Sequence, residues 1–274
     1  MDAAKSMRLL KVIERSGAKL ICTCCGVETL SVGNIGICSN CESMIDTDRK
    51  SLLGSNPGLV GNLDAIRKAI ANNDFESALS VYGRMRSEGE EPSLLYAEAL
   101  ACIGYSNRET SRISYDRKGF MEENTSFRKK GSELASKAKL LMEKAIRLAT
   151  DDIDKGNASM DIMYTLFLLQ AKLGSMKGAY YMLHELDRVK GYTSEYANLV
   201  FNAGMGRYNE VIKHADVMAT GNQLPLNAFY YIAFALFKKG RITDSMKLLG
   251  ELQRLTANPN VGLLLKEISE SREV

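Results

Sequence analysis

Apolar residues recur at helical spacing along most of this chain, in segments of about 14 residues that are separated by tight turns. The turns carry similar markers: Gly206–Arg207–Tyr208 and Gly240–Arg241–Ile242 lie 34 residues apart, and so do Pro225 and Pro259. Gly174–Ser175–Met176 falls 32 residues before the first of these markers. Self-similarity at such a period is typical of stacked helix pairs. The pattern therefore predicts a mainly α protein over residues 59–274.

Five units of this kind can be aligned, and one further helix follows them. The units cover residues 59–92, 93–152, 160–191, 192–225 and 226–259, and residues 261–270 would cap the open end. Large and small residues of the last unit stand at Phe229, Ile232, Ala233 and Leu236. The array resembles the tetratricopeptide repeat (TPR), a helix pair of 34 residues. This resemblance implies an α-solenoid of about five TPR-like pairs plus a capping helix; an irregular α-solenoid of another family is the alternative.

One unit is interrupted by an insertion at about residues 106–131. From residue 108 to 147 the chain has eleven Lys and Arg against six Asp and Glu, and Tyr115, Phe120 and Phe127 are interleaved with them. A basic segment with aromatic residues can bind nucleic acid. The interpretation we favour is a long hairpin extension with a solvated charged face.

The pattern before residue 59 is different. Residues 1–17 predict a short amphipathic helix, and residues 47–58 form a hydrophilic linker. Between them, residues 29–32 and 35–37 are rich in β-branched side chains around Gly33–Asn34, which predicts a hairpin turn. We expect residues 18–46 to form a small β module with its own core, tethered to the helices.

Four cysteines in this module have the spacing of a metal site. Cys22 and Cys25 form one C-x2-C pair, and Cys38 and Cys41 form a second. Two such pairs can direct four thiolates to one tetrahedral centre, the arrangement that zinc prefers. The segment 18–46 resembles a zinc ribbon, although Glu42 stands where glycine often follows the second pair. We expect one structural Zn²⁺ per chain; a ribbon without metal, or a redox dithiol, is the alternative.

Composition and charge set further limits. The chain is 45% hydrophobic and 25% charged with a net charge of +3, which is typical of an ordinary globular protein. Its longest strongly apolar run, Phe229 to Phe237, is shorter than the roughly 20 residues of a membrane span. Residues 1–17 make a poor signal peptide. We therefore expect a cytoplasmic protein with no membrane association and reduced cysteines. Cys24 and Cys102 are expected to be a bystander and a buried, inert thiol.

No catalytic constellation is evident. The chain has two histidines, His184 and His214, neither with an obvious partner in sequence, and no phosphate-binding glycine loop. A zinc closed by four cysteines offers no open coordination position. The ribbon also lacks aromatic residues on which bases could stack, and Lys19 is its one cation. We expect a protein that is not an enzyme.

The TPR resemblance implies a binding surface on the concave face. Tyr164, Tyr196 and Tyr230 recur at one repeat position, and Leu168, Val200 and Phe234 follow one turn later. This position faces the groove in that family, so the three hydroxyls are expected to reach solvent; packing between helices is the alternative. The chain is therefore expected to be an adaptor or scaffold that binds a protein or peptide segment in this groove. A nucleic-acid-associated factor using residues 108–147 is the alternative function.

Overall fold

The protein is mainly helical, with a small strand-containing region near the start of the chain. The computed structural model describes residues 1–31, 35–46, 57–111, 121–157, 159–189, 192–221, 224–256 and 258–271. Its helices are α1 (Ala3–Ser16), α2 (Pro57–Ala71), α3 (Phe75–Glu88), α4 (Pro92–Ser111), α5 (Met121–Asp154), α6 (Met160–Lys172), α7 (Met176–Val189), α8 (Tyr192–Gly204), α9 (Tyr208–Thr220), α10 (Leu226–Lys238), α11 (Ile242–Leu255) and α12 (Pro259–Glu270). Its strands are β1 (Ala18–Ile21), β2 (Glu28–Ser31), β3 (Ile35–Ile37) and β4 (Met44–Asp46). The predicted mainly α class is confirmed.

The turns between helices follow the sequence markers. Gly174, Gly206 and Gly240 have φ angles of 74°, 70° and 77°, a left-handed conformation that glycine adopts without steric cost. They stand at equivalent places, between the two helices of three successive pairs. Ser159 caps α6 by accepting a hydrogen bond from the backbone of Ile162 at 3.3 Å. Local chemistry therefore fixes where these helices begin and end.

The helices pack in chain order, and alternate helices also touch. From α2 to α12 each helix contacts the next, and α4 contacts α6, α6 contacts α8, α8 contacts α10 and α10 contacts α12. From the second pair onward, the first helices of successive pairs therefore lie side by side around a continuous apolar core. Among the described helices, none has both the length and the apolar content needed to cross a membrane.

The strands form two separate antiparallel hairpins. β1 pairs with β2, with Lys19 opposite Leu30, and β3 pairs with β4, with Gly36 opposite Ile45. The expectation that residues 29–32 and 35–37 form one hairpin is wrong, because β2 and β3 do not pair with each other. β1 and β2 flank the first two cysteines of the cluster, and β3 and β4 flank the other two. The predicted turn at residues 33 and 34 lies outside the described residues.

The strand module shares its core with the helices. Leu20, Val27 and Ile45 are buried in one cluster with Ile66 of α2 and Tyr82 of α3. The expectation that this module buries a core of its own is therefore wrong. Its four short strands have too little apolar area to form an independent core, and the helices supply the remainder.

Helix α1 also packs on the helical body. It lies against α11, where Arg254 forms an ion pair with Glu14 at 3.4 Å. Lys5 donates a hydrogen bond to Asp216 of α9 at 2.6 Å. The predicted linker 47–58 falls almost entirely outside the described residues, since α2 begins at Pro57. The contacts of α1 fasten the strand module to the last helix pairs.

The insertion lengthens the two helices of the second pair, as the hairpin interpretation predicts. α4 continues to Ser111 and α5 begins at Met121; residues 112–120, which include Tyr115 and Phe120, lie outside the described residues. The base of this extension is anchored, because Ser106 donates a hydrogen bond to the carbonyl oxygen of Gly131 at 2.7 Å. The ammonium of Lys130 also lies 4.6 Å from the centre of the Tyr105 ring.

Candidate metal centre and its docking face

The four predicted metal ligands lie together in the interior. The sulfur atoms of Cys22, Cys25, Cys38 and Cys41 are all within 4.8 Å of one another, and all four residues are buried. The Cys22 and Cys41 sulfurs are 3.6 Å apart, and those of Cys25 and Cys38 are 3.5 Å apart. None of the four is in a disulfide. This cluster could hold a metal ion.

The two cysteine pairs have matching backbone geometry. We call residues 22–27 the first knuckle and residues 38–43 the second knuckle. In the first knuckle the backbone N–H of Cys24 donates to the sulfur of Cys22 at 3.4 Å, and in the second that of Asn40 donates to Cys38 at 3.4 Å. A backbone N–H directed at sulfur stabilises a thiolate, which is the form that binds a metal.

The fifth residue of each knuckle has a left-handed backbone, but its role differs between the two knuckles. Gly26 has a φ of 71°, and a Cβ built there would lie 2.1 Å from the carbonyl oxygen of Leu63. Glycine at this position therefore lets α2 approach the first knuckle. Glu42 occupies the equivalent place with a φ of 60°, although it is not glycine. This conformation costs a side-chain-bearing residue about 1–2 kcal/mol, which other contacts must offset.

The side chain of Glu42 supplies those contacts. It is buried, and its carboxylate accepts a hydrogen bond from the Tyr231 hydroxyl, 3.1 Å from the nearer oxygen. Its other oxygen accepts a hydrogen bond from the ammonium of Lys172 at 3.2 Å. Burial and the nearby carboxylate raise the pKa of Tyr231 well above its usual value, so this hydroxyl keeps its proton. The one residue that departs from the ribbon pattern thus joins the second knuckle to α6 and α10.

Main-chain carbonyl groups of the second knuckle are bound as well. Tyr164 donates to the carbonyl of Glu42 at 3.0 Å, Asn227 to that of Cys38 at 2.8 Å and Thr256 to that of Ser39 at 3.3 Å. We call the five residues on or beside the helices that contact this knuckle through polar atoms the docking face: Tyr164, Lys172, Asn227, Tyr231 and Thr256. Donors from distant parts of the chain therefore converge on one short turn.

The predicted groove residues are mostly covered. Tyr164, Leu168, Tyr196 and Val200 are buried, and Tyr230 and Phe234 are partly buried; these are the six predicted positions. The expectation that the hydroxyls of Tyr164 and Tyr196 reach solvent is wrong, because both residues are fully buried. The second knuckle lies over Tyr164, and the Tyr196 ring packs edge-on against Tyr231, 6.2 Å between centres. Burial also raises the pKa of Tyr230 to about 12.

Sequence reasoning missed four of the five docking-face residues. Lys172, Asn227, Tyr231 and Thr256 carry no local signal of this role, since each acts on a segment more than 100 positions away. The one available signal was Glu42 itself, an acidic residue at a place where glycine is usual.

Cys102 is buried as expected, whereas the expectation that Cys24 is a bystander stays a prediction, because its thiol interacts with that of Cys22. Cys24 is buried beside the cluster, although it is not one of the four grouped sulfurs. Cys102 is buried in α4, and burial raises the pKa of its thiol to about 11. A thiol with such a pKa is protonated and unreactive at neutral pH.

Several cations of the basic segment 108–147 are engaged within the protein. Lys130 pairs with Glu76 at 2.9 Å, and Lys137 pairs with the buried Glu98 at 3.2 Å. Lys144 pairs with Glu90. These ion pairs join α5 to α3, α4 and the turn between them, so they reduce the charge offered to an outside polyanion. Binding of nucleic acid by this segment stays a prediction.

An open pocket lies on another surface, between α7, α8 and the start of α9. It has a volume of about 300 Å³, and its lining includes Tyr180, His184, Asn198, Phe201 and Arg207. Tyr180 is 60% exposed and packs against Phe201, 5.9 Å between ring centres. A large exposed aromatic ring beside polar groups is a common feature of protein-binding surfaces.

Comparison with known proteins adds no relative to this picture. No model of a known protein family matches the chain, and no curated protein matches it either. The assignment of the cysteine cluster and of the helix pairs therefore rests on the residues and contacts of this chain.

Proposed function

We propose that this protein is a non-enzymatic adaptor for protein–protein interaction: an α-solenoid of TPR-like helix pairs, with a structural zinc ribbon packed on its inner face. The solenoid is supported by the contacts between alternate helices and by the equivalent glycine turns. All six cysteines are free thiols, which suits the reducing cytoplasm.

Zinc is the metal that best suits the cluster. Tetrahedral zinc with Zn–S bonds near 2.3 Å requires sulfur atoms about 3.8 Å apart. Two of the sulfur pairs are 3.5 and 3.6 Å apart and all four sulfurs lie within 4.8 Å of one another, so small shifts would accommodate the ion. Four thiolates fill every position of such a site, which leaves the metal a structural role. When bound, zinc would fix the two knuckles against each other.

The exposed aromatic pair on α7 is the observation that carries the adaptor proposal. Tyr180 and Tyr181 are 60% and 65% exposed, and Tyr180 lines the open pocket. The predicted groove is covered by the chain's own second knuckle. A partner that binds the protein in this form therefore needs a different surface. Tyrosine and arginine are enriched among residues that dominate interface energy, and Arg207 also lines the pocket.

The test compares proteins captured by the wild-type chain and by a Tyr180→Ser/Tyr181→Ser double variant. The matched control is Leu140→Ser, which removes an equally exposed apolar side chain from α5. We expect a direct partner to be lost at least tenfold from the double variant and retained by the control, measured by quantitative mass spectrometry and repeated with the purified partner. Equal capture by all three proteins would contradict the proposed surface. If no protein binds the wild-type chain above a mock column, the adaptor function itself is wrong.

A further inference from the structure

The docking face has the chemistry of a site that recognises a peptide turn. Three of its residues donate hydrogen bonds to main-chain carbonyl oxygens of the second knuckle. Because every peptide has such carbonyls, these donors select a backbone shape and not a particular sequence. Groove-binding proteins use the same principle when main-chain contacts supply affinity and side-chain sites supply specificity.

The specificity of the docking face is for a carboxylate. Lys172 and Tyr231 hold the Glu42 side chain between a cation and a phenol hydroxyl. Lys172 keeps 29% of its side chain exposed, so this end of the site borders solvent. A hydrogen bond between an ammonium and a carboxylate is among the stronger polar contacts. An acidic residue in a tight turn is therefore the ligand that the site fits.

The second knuckle, which occupies the docking face, needs the metal to keep its shape. Cys38 and Cys41 bracket the turn, and a metal bound by both would fix its ends. The left-handed conformation of Glu42 is unfavourable in a free segment, because its Cβ is crowded by the backbone. Metal binding and occupation of the docking face are therefore linked equilibria, and the linkage is reciprocal: a competitor on the docking face must weaken metal binding.

We propose that the docking face is a segment-binding site that the chain fills with its own second knuckle while zinc is bound, and that it accepts an acidic turn segment of a partner protein when zinc is removed. While the metal holds the knuckle, the tethered segment outcompetes external ones, since tethering gives effective concentrations in the millimolar range. This proposal rests on the zinc assignment above but not on the pocket beside Tyr180.

The experiment uses the full chain and a labelled peptide with the sequence of residues 35–46, in which both cysteines are replaced by serine so that it binds no metal. Fluorescence anisotropy measures its binding to zinc-loaded chain and to chain stripped with a chelator. We expect binding at least tenfold tighter to the stripped chain, and at least fivefold weaker binding by the same peptide with Glu42→Gln. The chain variant Lys172→Met should bind the parent peptide more weakly than the wild-type chain does, and it should bind the Gln peptide equally well.

A second measurement uses the zinc-loaded chain. Peptide at a concentration near its Kd should speed the transfer of zinc to a colorimetric chelator at least threefold, and the Gln peptide at the same concentration should speed it less. Equal peptide affinity with and without zinc, or no change in transfer rate, would overturn the proposal. Collapse of the helical circular dichroism signal on stripping would overturn it too, because the knuckle would then be an inseparable part of the core. The Tyr180→Ser/Tyr181→Ser variant should bind the peptide normally, which separates this result from failure of the proposed adaptor surface.

Discussion

The contribution of Glu42 to the free energy of unfolding can be tested with two substitutions. One changes both the backbone strain and the side-chain hydrogen bonds, and the other changes only the side-chain charge. Glu42→Gly relieves the left-handed backbone, which should stabilise the fold by about 1–2 kcal/mol. It also removes the hydrogen bonds to Lys172 and Tyr231, each worth about 1.5–3 kcal/mol because the acceptor is charged. The net expectation is a loss of about 3 kcal/mol, within a range of about 1–5 kcal/mol.

Glu42→Gln keeps the strained backbone and an acceptor oxygen but removes the charge. Lys172 is partly exposed and can regain water, so the expected loss is smaller, about 1–2 kcal/mol. The control is Glu28→Gln in β2, whose ion pair with Lys19 is exposed and should contribute less than about 0.5 kcal/mol.

Urea unfolding of zinc-loaded protein at one fixed free zinc concentration measures all three variants, since ligand binding otherwise shifts apparent stability. The expected order of destabilisation is Glu42→Gly, then Glu42→Gln, then the control. If Glu42→Gly is as stable as the wild type or more so, backbone strain outweighs the carboxylate contacts, and the assigned role of Glu42 is refuted.

Three further predictions follow from the metal site and its surroundings. Purified protein should contain one zinc per chain by elemental analysis and should release it as the pH falls, because protons compete for the thiolates; zinc-free protein, or zinc retained by Cys22→Ser, would contradict the site. Gly26→Ala should destabilise the zinc-loaded chain in urea by at least about 2 kcal/mol, since its Cβ would meet the Leu63 carbonyl at 2.1 Å; an unchanged midpoint would show that α2 can move away at little cost. Tyr196→Ala should cost about 3–5 kcal/mol in the same assay, as for a core aromatic, and a loss below about 1 kcal/mol would mean that the ring is not part of the core.

Features set by neighbouring residues could be predicted from the sequence. The glycine turns needed only a left-handed residue between two amphipathic segments, and Gly206 and Gly240 have that conformation. The grouping of the four cysteines follows from their spacing, because a C-x2-C pair determines its own turn. Helix ends and the cysteine cluster depend on interactions within a few residues, and a linear pattern is enough to locate them.

Features set by distant residues could not be predicted. The tyrosine periodicity placed Tyr164 and Tyr196 on a common helix face, but no local pattern tells whether such a face is open or filled. That depends on complementarity with the second knuckle, whose contact with Tyr164 spans 122 positions. Strand pairing failed for a related reason, since β-branched content indicates a strand without specifying its partner.

The hydrogen bond between Thr256 and the carbonyl of Ser39 has a consequence for the order of folding. It closes a loop of 217 residues, whereas each helix pair closes over a few tens of residues or fewer. Contacts of such high sequence separation form late, because loop-closure entropy must be overcome first. At translation rates of about 5–20 residues per second, Thr256 follows Ser39 by about 10–40 s. During that interval the cysteines are already synthesised while part of their docking face does not yet exist, so metal capture can precede docking on every newly made chain.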